Sequence, residues 1–382
     1  MSVNLHSELG LAQSSSTYKL IELNDELLAE LRDKSSKDKL QFKSLDKEGS
    51  HVVLCSSDKT WIVRQKDHSN LSMVMREDVV DTERVLDPSA CFGLPPPISD
   101  YIGYARTTYE YETIKTEGQL SLDQVPVYNG SANFAQRESG TPSLSFEDMV
   151  NNSPISRKEA LVEWHKLAGC TVAGQVCLLS KAFLHKALHV TLMSVLAESL
   201  DLDALTLKEA ATAVGKDMDD TFNPYSSEVV ETVLNRFGKI TSDSDEEPKK
   251  WSLNRSMLAS WYGVYALEKY ATKTGVLVDE FMLQWKSTFP PFLTCDIDTN
   301  MLRGHFFHPQ AEQLQYISRD TLSMDPKERF RTLFKLQSSW DLADLEPFIA
   351  DLNTKHLKID SFVMKYARRR RVGKTTIVTA RS

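Results

Sequence analysis

The last 22 residues of the chain contain seven basic residues and no acidic one. The seven are Lys365, Arg368, Arg369, Arg370, Arg371, Lys374 and Arg381. Like charges stacked along a helix repel one another by about 0.2–0.5 kcal/mol per pair, whereas phosphate groups neutralise them. We therefore expect this end to bind a phosphate backbone, although a disordered basic tail or a nuclear import signal has the same composition.

The pattern around these cations predicts a helix, a turn and a strand. Apolar side chains recur with helical spacing at Ile359, Phe362, Val363 and Tyr366. Asp360 is the expected cap, and a continuing helix would place Lys365, Arg368 and Arg369 on one face. A strand is expected at residues 375–380. Arg370, Arg371 and Lys374 then lie in the turn before this strand, and Arg381 lies at its end. Because the helix lacks a set of Asn, Gln or isolated Arg residues for base edges, we expect binding that tolerates any sequence and weakens with salt.

The charge of the chain is unevenly divided. Its formal net charge is −8, from 45 basic and 53 acidic residues, so the part before the basic end carries −15 once the +7 of that end is set aside. Charges attract within about 10 Å at moderate salt, so only the basic end suits an anionic partner.

Composition also bears on where the protein works. Hydrophobic residues make up 41% of the chain, enough for more than one core, yet no apolar run approaches the roughly 18 residues of a membrane helix. The start, MSVNLHSELG, lacks the features of a secretory signal. Five widely spaced cysteines without a C-x-x-C pair fit a reducing compartment. We expect an intracellular protein without a membrane contact.

Two possible catalytic or metal motifs are incomplete. The segment GKT at residues 373–375 resembles the end of a phosphate-binding P-loop, but Arg368 stands where that loop requires glycine. His185 and His189 have the spacing of a zinc protease helix, but Lys186 replaces its glutamate. We interpret the segment as a chance match and the histidines as core or surface residues.

The acidic clusters are interpreted as structural. The segment DMDD at residues 217–220 begins like a calcium loop, but Phe222 occupies its glycine position. Asp296 and Asp298 are expected to cap a helix, and the acidic run at residues 243–247 to form a solvated loop. The sequence predicts no enzyme, no cofactor and no metal.

The first part of the chain predicts an antiparallel meander preceded by a helix at NDELLAELRD. The strand candidates are LQFKSL, HVVLCS, KTWIVRQ and NLSMVMR, followed after a proline-rich break by YIGYARTTYEYE. A sheet with so few strands has open edges, which closure or strands of another chain commonly complete. We therefore expect residues 1–140 to form a β-barrel together with partner chains.

After a polar linker near residues 129–145 the chain repeats one order of elements: a long helix, two short helices and a short strand. In the clearest early copy the helices are expected at residues 181–200, 206–218 and 226–237, and the strand at 250–253. The order predicts tandem winged helices preceded by a half-copy at 146–180, and an α+β fold overall. The expected domains are 141–254 for the first winged-helix units, 255–320 for the next, and 321–382 for the last, with a basic recognition helix and wing.

Five longer stretches are distinctive in combination. They are FKSLDKEGSHVVLCSSDKTW, AVGKDMDDTFNPY, FPPFLTCDIDTNMLRG, MDPKERFRTLFKLQSSWDLADLEPFIADLN and KIDSFVMKYARR. From Leu40 to the C-terminus the chain resembles the sister chromatid cohesion protein DCC family of fungal type. The resemblance implies a non-ATPase subunit of the cohesion-linked alternative replication factor C clamp loader. It also implies that Lys365, Arg368 and Arg381 match a DNA-facing C-terminal motif.

The same resemblance implies partners and a location. The N-terminal region would share a barrel with a small companion subunit and the C-terminal tail of the large loader subunit. The helical part would contact the catalytic subunit of DNA polymerase epsilon and single- or double-stranded DNA with low sequence specificity. A nuclear adaptor for loading and unloading the sliding clamp PCNA, in replication and cohesion, is therefore expected. The alternative is a winged-helix transcription regulator, which would bind a preferred sequence without a loader.

Overall fold

A computed structural model describes residues 3–7, 18–32, 40–45, 51–78, 99–132, 134, 144–216, 222–241, 248–353, 357–373 and 375–381. The acidic segments 217–220 and 243–247, Cys91, the proline-rich break and Lys374 lie outside these residues. The chain forms two compact units. One comprises Met1–Val127, Glu138–Gly169 and Ala173–Leu178, and the other comprises Tyr128–Arg137, Cys170–Val172 and Leu179–Ser382. Within the described residues no helix is long and apolar enough to cross a membrane.

The first unit contains a six-stranded sheet and a helix. The elements are β1 (Val3–Ser7), β2 (Ile21–Glu22), α1 (Asp25–Arg32), β3 (Gln41–Lys43), β4 (Val53–Cys55), β5 (Thr60–Asp78) and β6 (Ser99–Thr116). Strands β3 to β6 pair antiparallel in chain order, which confirms the predicted meander, while β1 and β2 both pair parallel with β6. The predicted helix at NDELLAELRD is confirmed as α1.

One strand prediction was wrong. KTWIVRQ and NLSMVMR form the single strand β5, because β6 pairs with it from Thr60 to Asp78 and a register irregularity between Asp67 and Ser72 absorbs the polar stretch. Leu27, Leu54 and Trp61 form a small core at one end of this sheet. The sheet of the described residues is open, and its completion by partner chains stays a prediction.

Two helices of the first unit pack beside the sheet. They are α2 (Phe146–Asn151) and α3 (Arg157–Lys166). The hydroxyl of Thr60 donates to Glu159 Oε2 at 2.5 Å and accepts from the backbone N–H of Ser156 at 2.9 Å. This contact fixes the first turn of α3 to the start of β5. Short strands β7 (Val127–Tyr128), β8 (Gly169–Val172) and β9 (Gln175–Leu179) form a sheet in the order β7-β9-β8.

The second unit repeats one arrangement three times. Its first copy contains α4 (Lys181–Ala197), β10 (Leu205–Thr206), α5 (Leu207–Lys216), α6 (Ser227–Phe237), β11 (Gly238–Ile240) and β12 (Lys250–Leu253). The next contains α7 (Arg255–Tyr270), β13 (Val276–Leu277), α8 (Val278–Ser287), a 3-10 turn (Thr299–Leu302), β14 (Phe306–Phe307) and β15 (Gln313–Tyr316). The last contains α9 (Pro326–Leu336), β16 (Ser339–Asp341), α10 (Leu342–Leu345), α11 (Ile359–Tyr366), β17 (Ala367–Val372) and β18 (Thr375–Ala380).

In every copy the last strand is the middle one of a three-stranded sheet, in the orders β10-β12-β11, β13-β15-β14 and β16-β18-β17. The predicted repeat is confirmed, but each copy has two strands that were not predicted. One of them, β11, β14 or β17, directly precedes the predicted strand. The other, β10, β13 or β16, follows the long helix. The strands after the long helices have two or three residues, too few to produce a readable alternation. A single residue, Asn254, joins the first copy to the second, and its side chain caps α7 by accepting from two backbone N–H groups.

The core of the last copy is apolar apart from one arginine. Trp340, Leu345, Phe348 and Val378 are fully buried in it, and Asp325 is the N-cap of α9. Arg329 is buried with them, at 1% exposure. This copy carries the basic residues identified in the sequence.

Candidate nucleic-acid interface

The expected basic recognition helix is not present. Helix α11 ends at Tyr366, and Arg368, Arg369, Arg370 and Arg371 lie on strand β17, although we predicted the first two on the helix and the others in a turn. Ala367, which is 2% exposed, has an extended backbone and begins six consecutive pairings with β18. These pairings hold the arginines in a strand, whereas a longer helix would leave one edge of β18 without hydrogen-bond partners.

Helix α11 itself carries little positive charge. Its sequence, IDSFVMKY, contains one lysine and one aspartate. Its N-cap is Lys358, so the prediction that Asp360 is the cap was wrong. The Asp360 carboxylate instead accepts from Arg369 Nη1 at 2.5 Å. If helix α11 entered the groove of a DNA duplex, Lys365 would be the single cation that the helix brings to the DNA.

The four arginines divide between the two faces of the sheet. Directly paired residues of antiparallel strands project on the same side, and Arg369 pairs with the buried Val378. Arg369 and Arg371 therefore project on the side of the core, whereas Arg368 and Arg370 project on the opposite side. All four are exposed. Charged side chains on an edge strand also prevent pairing with foreign strands, so protection of the edge is a structural role for the same residues.

Lys365 and Arg381 lie apart from these arginines, in a cleft of ≈ 530 Å³ between α9, α11 and the end of β18. Three further basic residues line the same cleft: Lys327, Arg331 and Lys335. They follow one another at intervals of four residues on α9, the spacing of one helix face. Arg381 Nη2 donates to the carbonyl oxygen of Met364, which holds its guanidinium at the cleft.

Lys327, Arg331 and Lys335 of α9 were not among the residues predicted for the interface. The i, i+4, i+8 spacing within KERFRTLFK was the available signal, because Phe330 and Leu333 occupy the buried face of the same helix.

The cleft combines cations with aromatic rings. None of the described residues that line it is acidic, and the rings are Phe330, Phe334 and Tyr366. Phe330 and Tyr366 stack with centroids 5.3 Å apart and planes 21° apart. Phe334 and Tyr366 are partly exposed. The cleft can therefore take an anion that also has an apolar or aromatic part.

The other candidate motifs have structural roles in the described residues. Gly373, with φ +62°, lies in the turn between β17 and β18 rather than in a phosphate loop. His189 Nδ1 lies 3.1 Å from Tyr262 Oη, and the ring of His185 stacks on Tyr265 at 3.8 Å between centroids. Asp298 caps the 3-10 turn Thr299–Leu302 through the N–H of Asn300, as predicted for this aspartate. Among the described residues no group of three or more metal-binding side chains comes together.

The fold and this interface define a modular α+β protein with an open sheet in one unit and serial small helical modules in the other. Comparison with known proteins assigns its family. The profile of the sister chromatid cohesion protein Dcc1 family matches residues 18–349. The chain belongs to this family, which confirms the resemblance seen in its sequence.

Individual relatives agree with this assignment. The chain is 48% identical over 385 residues to sister chromatid cohesion protein DCC1 of Saccharomyces cerevisiae, covering 100% of both chains. It is 25% identical over 362 residues to the protein of that name from Xenopus tropicalis, covering 93% of this chain and 87% of the relative. With the human protein the identity is 23% over 323 residues, covering 83% and 77% respectively.

Proposed function

We propose that this chain is a nuclear, non-catalytic adaptor subunit of an alternative clamp loader in replication and sister chromatid cohesion. It joins the loader to the catalytic subunit of DNA polymerase epsilon and to DNA, and so assists loading and unloading of PCNA. The observation that carries the proposal is the run of exposed arginines on the last edge strand of a protein in the Dcc1 family.

The three repeated copies of the second unit support an assignment as tandem winged helices. Each has helical segments between its first and second strands and ends in a hairpin that corresponds to the wing. These segments are two α-helices in the first copy, an α-helix and a 3-10 turn in the second, and two α-helices with two 3-10 turns between them in the third. Modules of this kind serve both protein and DNA recognition, so a series can hold several partners at once.

The N-terminal sheet supports a shared barrel with the large loader subunit's tail and a small companion subunit. Apolar side chains of this sheet are exposed, including Phe42, Leu71 and Met73 at 55%, 56% and 43%. Exposed apolar side chains beside open strand edges are the features that strands from another chain would cover.

The C-terminal copy supports phosphate contacts without base recognition. Arg368, Arg370 and Arg371 are exposed on an edge strand, and α11 offers one cation for a duplex groove. This favours a sequence-tolerant grip on the backbone over the alternative of a transcription regulator that reads bases through its recognition helix.

The DNA contact is tested by measuring affinity against salt for the full chain and for the variant Arg368→Ala/Arg370→Ala/Arg371→Ala. Each lost phosphate contact lowers the slope of log affinity against log salt by about 0.7–0.9. We expect the slope to fall by about two units, equally on unrelated sequences, because the contacts are to phosphates.

The matched control removes three exposed lysines elsewhere in the same unit: Lys186→Ala, Lys208→Ala and Lys286→Ala. It changes net charge equally and should leave the slope unchanged. An arginine variant with the slope of the unaltered chain contradicts the proposed contact and leaves edge protection as the role of these residues.

A further inference from the structure

We propose that Lys115, at the end of β6, is an acceptor site for a small ubiquitin-like modifier (SUMO). The lysine lies in the segment IKTE at residues 114–117. The enzyme that conjugates SUMO recognises a large aliphatic residue, the acceptor lysine, any residue and then an acid. It binds these four residues in an extended conformation. The modification concerns the N-terminal unit and does not depend on the proposed DNA contact.

The backbone of this segment has the required conformation. Strand β6 extends to Thr116, and Ile114, Lys115 and Thr116 pair with β5 along one edge of the strand. On the other edge, the pairings of β6 with β1 and β2 end at Glu112. Within the described residues no strand pairs with that edge from Ile114 onward. A conjugating enzyme can therefore approach an extended backbone that has one open edge.

The three side chains that such an enzyme recognises are accessible. Ile114 is 41% exposed, whereas its cross-strand partner Ile62 is 9% exposed. The side chain of Lys115 is 58% exposed. Glu117 is exposed, and its carboxylate has no hydrogen-bond or ion-pair partner among the described residues. Each of the recognised groups can therefore be contacted without unfolding the sheet.

Lys115 has an ion-pair partner that leaves the amine available for reaction. Its Nζ lies 3.3 Å from Oε2 of Glu26 on α1, and both side chains are largely exposed. The same carboxylate oxygen lies 3.5 Å from Lys59 Nζ, so it keeps a cation when Lys115 moves away. Exposed pairs of this kind contribute little to stability and are screened by salt. Release of the lysine therefore costs little.

A second segment of the same pattern shows what the fold adds to the sequence. The segment LKID at residues 357–360 also consists of an aliphatic residue, a lysine, any residue and an acid. Leu357 packs against the core of the last copy, and Asp360 accepts from Arg369 Nη1 at 2.5 Å. Lys358 is the N-cap of α11, so this segment turns into a helix. The pattern fits both segments, whereas conformation and exposure select the one on β6.

The reaction would be an acyl transfer. SUMO is supplied as a thioester between its C-terminal glycine and a cysteine of its conjugating enzyme, formed beforehand with ATP. The ammonium group of Lys115 first loses a proton to water, and the neutral amine attacks the thioester carbonyl carbon. The C–N bond forms, the C–S bond breaks, the cysteine leaves as a thiolate and the nitrogen releases a second proton. The product is an isopeptide bond, and no group is oxidised or reduced.

The first test is conjugation in vitro on the full chain, with purified activating enzyme, conjugating enzyme, SUMO and ATP. We expect one modified species, with the modifier located on Lys115 by mass spectrometry of the digested conjugate. Lys115→Arg keeps the charge beside Glu26 but cannot accept the modifier, so this species should disappear. Lys358→Arg is the matched control and should leave it unchanged. Modification of Lys358 in preference to Lys115, or an unchanged yield from Lys115→Arg, overturns the proposal.

Two further variants separate recognition of the segment from simple exposure of a lysine. Glu117→Gln removes the acid, and Ile114→Thr removes apolar surface while keeping a β-branched residue in the strand. We expect each to lower the initial conjugation rate by about tenfold or more, the factor that loss of one charge-assisted or one apolar contact produces. Thermal unfolding confirms that the fold is retained. Unchanged rates in both variants would show that Lys115 reacts as an ordinary surface lysine, which contradicts the proposal.

A peptide comparison tests whether the sheet leaves the segment accessible. A synthetic peptide of residues 110–119 presents the same four residues without strand pairing. We expect the full chain to be modified at a rate comparable with that of the peptide. A modified peptide beside an unmodified chain would show that pairing with β5 shields Lys115, and the proposal would fail while the proposed DNA contact stands on its own salt dependence. If neither is modified, the segment is not a substrate and the proposal also fails.

Discussion

At the scale of single residues, Arg329 is the most constrained charge in the described structure. It is 1% exposed, and its Nη1 donates to both carboxylate oxygens of Asp351 at 2.6 and 2.7 Å and to the carbonyl of Phe348 at 2.9 Å. Its Nε donates to the carbonyl of Ser323 at 2.7 Å. These bonds join the start of α9 to the turn Ala350–Leu352, and Arg329 is therefore a structural residue.

We predict that Arg329→Met lowers the free energy of unfolding by about 2–4 kcal/mol, because the carbonyl groups of Ser323 and Phe348 lose their donor. Methionine fills the space but leaves buried carbonyl groups without donors and removes the ion pair. Urea denaturation measures the loss. Arg331→Met, two residues along the same helix and exposed, is the matched control and should change stability by less than about 0.5 kcal/mol. Equal losses in the two variants contradict the structural assignment.

A second residue-scale prediction concerns pH. Burial lowers the pKa of His185 from 6.5 to about 4. As the pH falls from about 6.5 towards 4, the unfolded chain takes up this proton before the folded chain does, so stability decreases across that interval and is fully present above it. His189 and His305 contribute in the same direction, because burial lowers their pKa as well.

His185→Phe retains an aromatic ring against Tyr265 and removes the titrating group. We expect the decrease in the unfolding midpoint between neutral and mildly acid pH to be smaller in this variant than in the unaltered chain. Differential scanning calorimetry measures the midpoints, and the values above pH 7 serve as the internal control. An unchanged pH dependence would show that protonation of His185 does not contribute to the loss of stability at acid pH.

At the scale of elements, the sequence predicted most helices, including the last one, but it placed the end of that last helix too far along the chain. Helix spacing is regular over Ile359–Tyr366, and no local signal marks its end, since arginine favours helix as readily as the residues before it. What ends the helix is the pairing of β17 with β18, a contact that depends on the sheet. For the same reason two predicted strands were found to be the single strand β5: Lys66 and Asp67 between them pair with β6, and the strand continues beyond the register irregularity that follows.

The residues of the candidate nucleic-acid interface were likewise predicted only in part from the sequence. Composition located the basic end, and Lys365 and Arg381 do lie together at a cleft. Composition did not separate them from the arginines of β17, because that division follows from the alternation of a strand. It also did not include Lys327, Arg331 and Lys335, which precede the basic end by some thirty residues of chain and join it through packing of α9 on α11.

At the scale of the whole molecule, the proposed adaptor role predicts assembly through the N-terminal sheet. The full chain should co-elute with the companion subunit and the large subunit's C-terminal tail in size-exclusion chromatography. Leu71→Asp/Met73→Asp should abolish co-elution, because it places two charges where apolar side chains of β5 would be covered.

The control for this prediction is Leu283→Asp, which alters an exposed leucine of α8 in the other unit. It should leave co-elution unchanged. A chain that remains alone in the presence of both partners contradicts the adaptor proposal, whereas the DNA contact is judged separately by its salt dependence.

The single connecting residue Asn254 restricts the relative rotation of the first two copies of the second unit. The residue connects β12 directly to α7, and its side chain accepts from the N–H groups of Ser256 and Met257. Rotation at this joint would break the cap that starts α7, so neither copy can swivel without unwinding the first turn of a helix. Reorientation of one copy against the other at this residue therefore costs the free energy of the cap, about 0.5–2 kcal/mol.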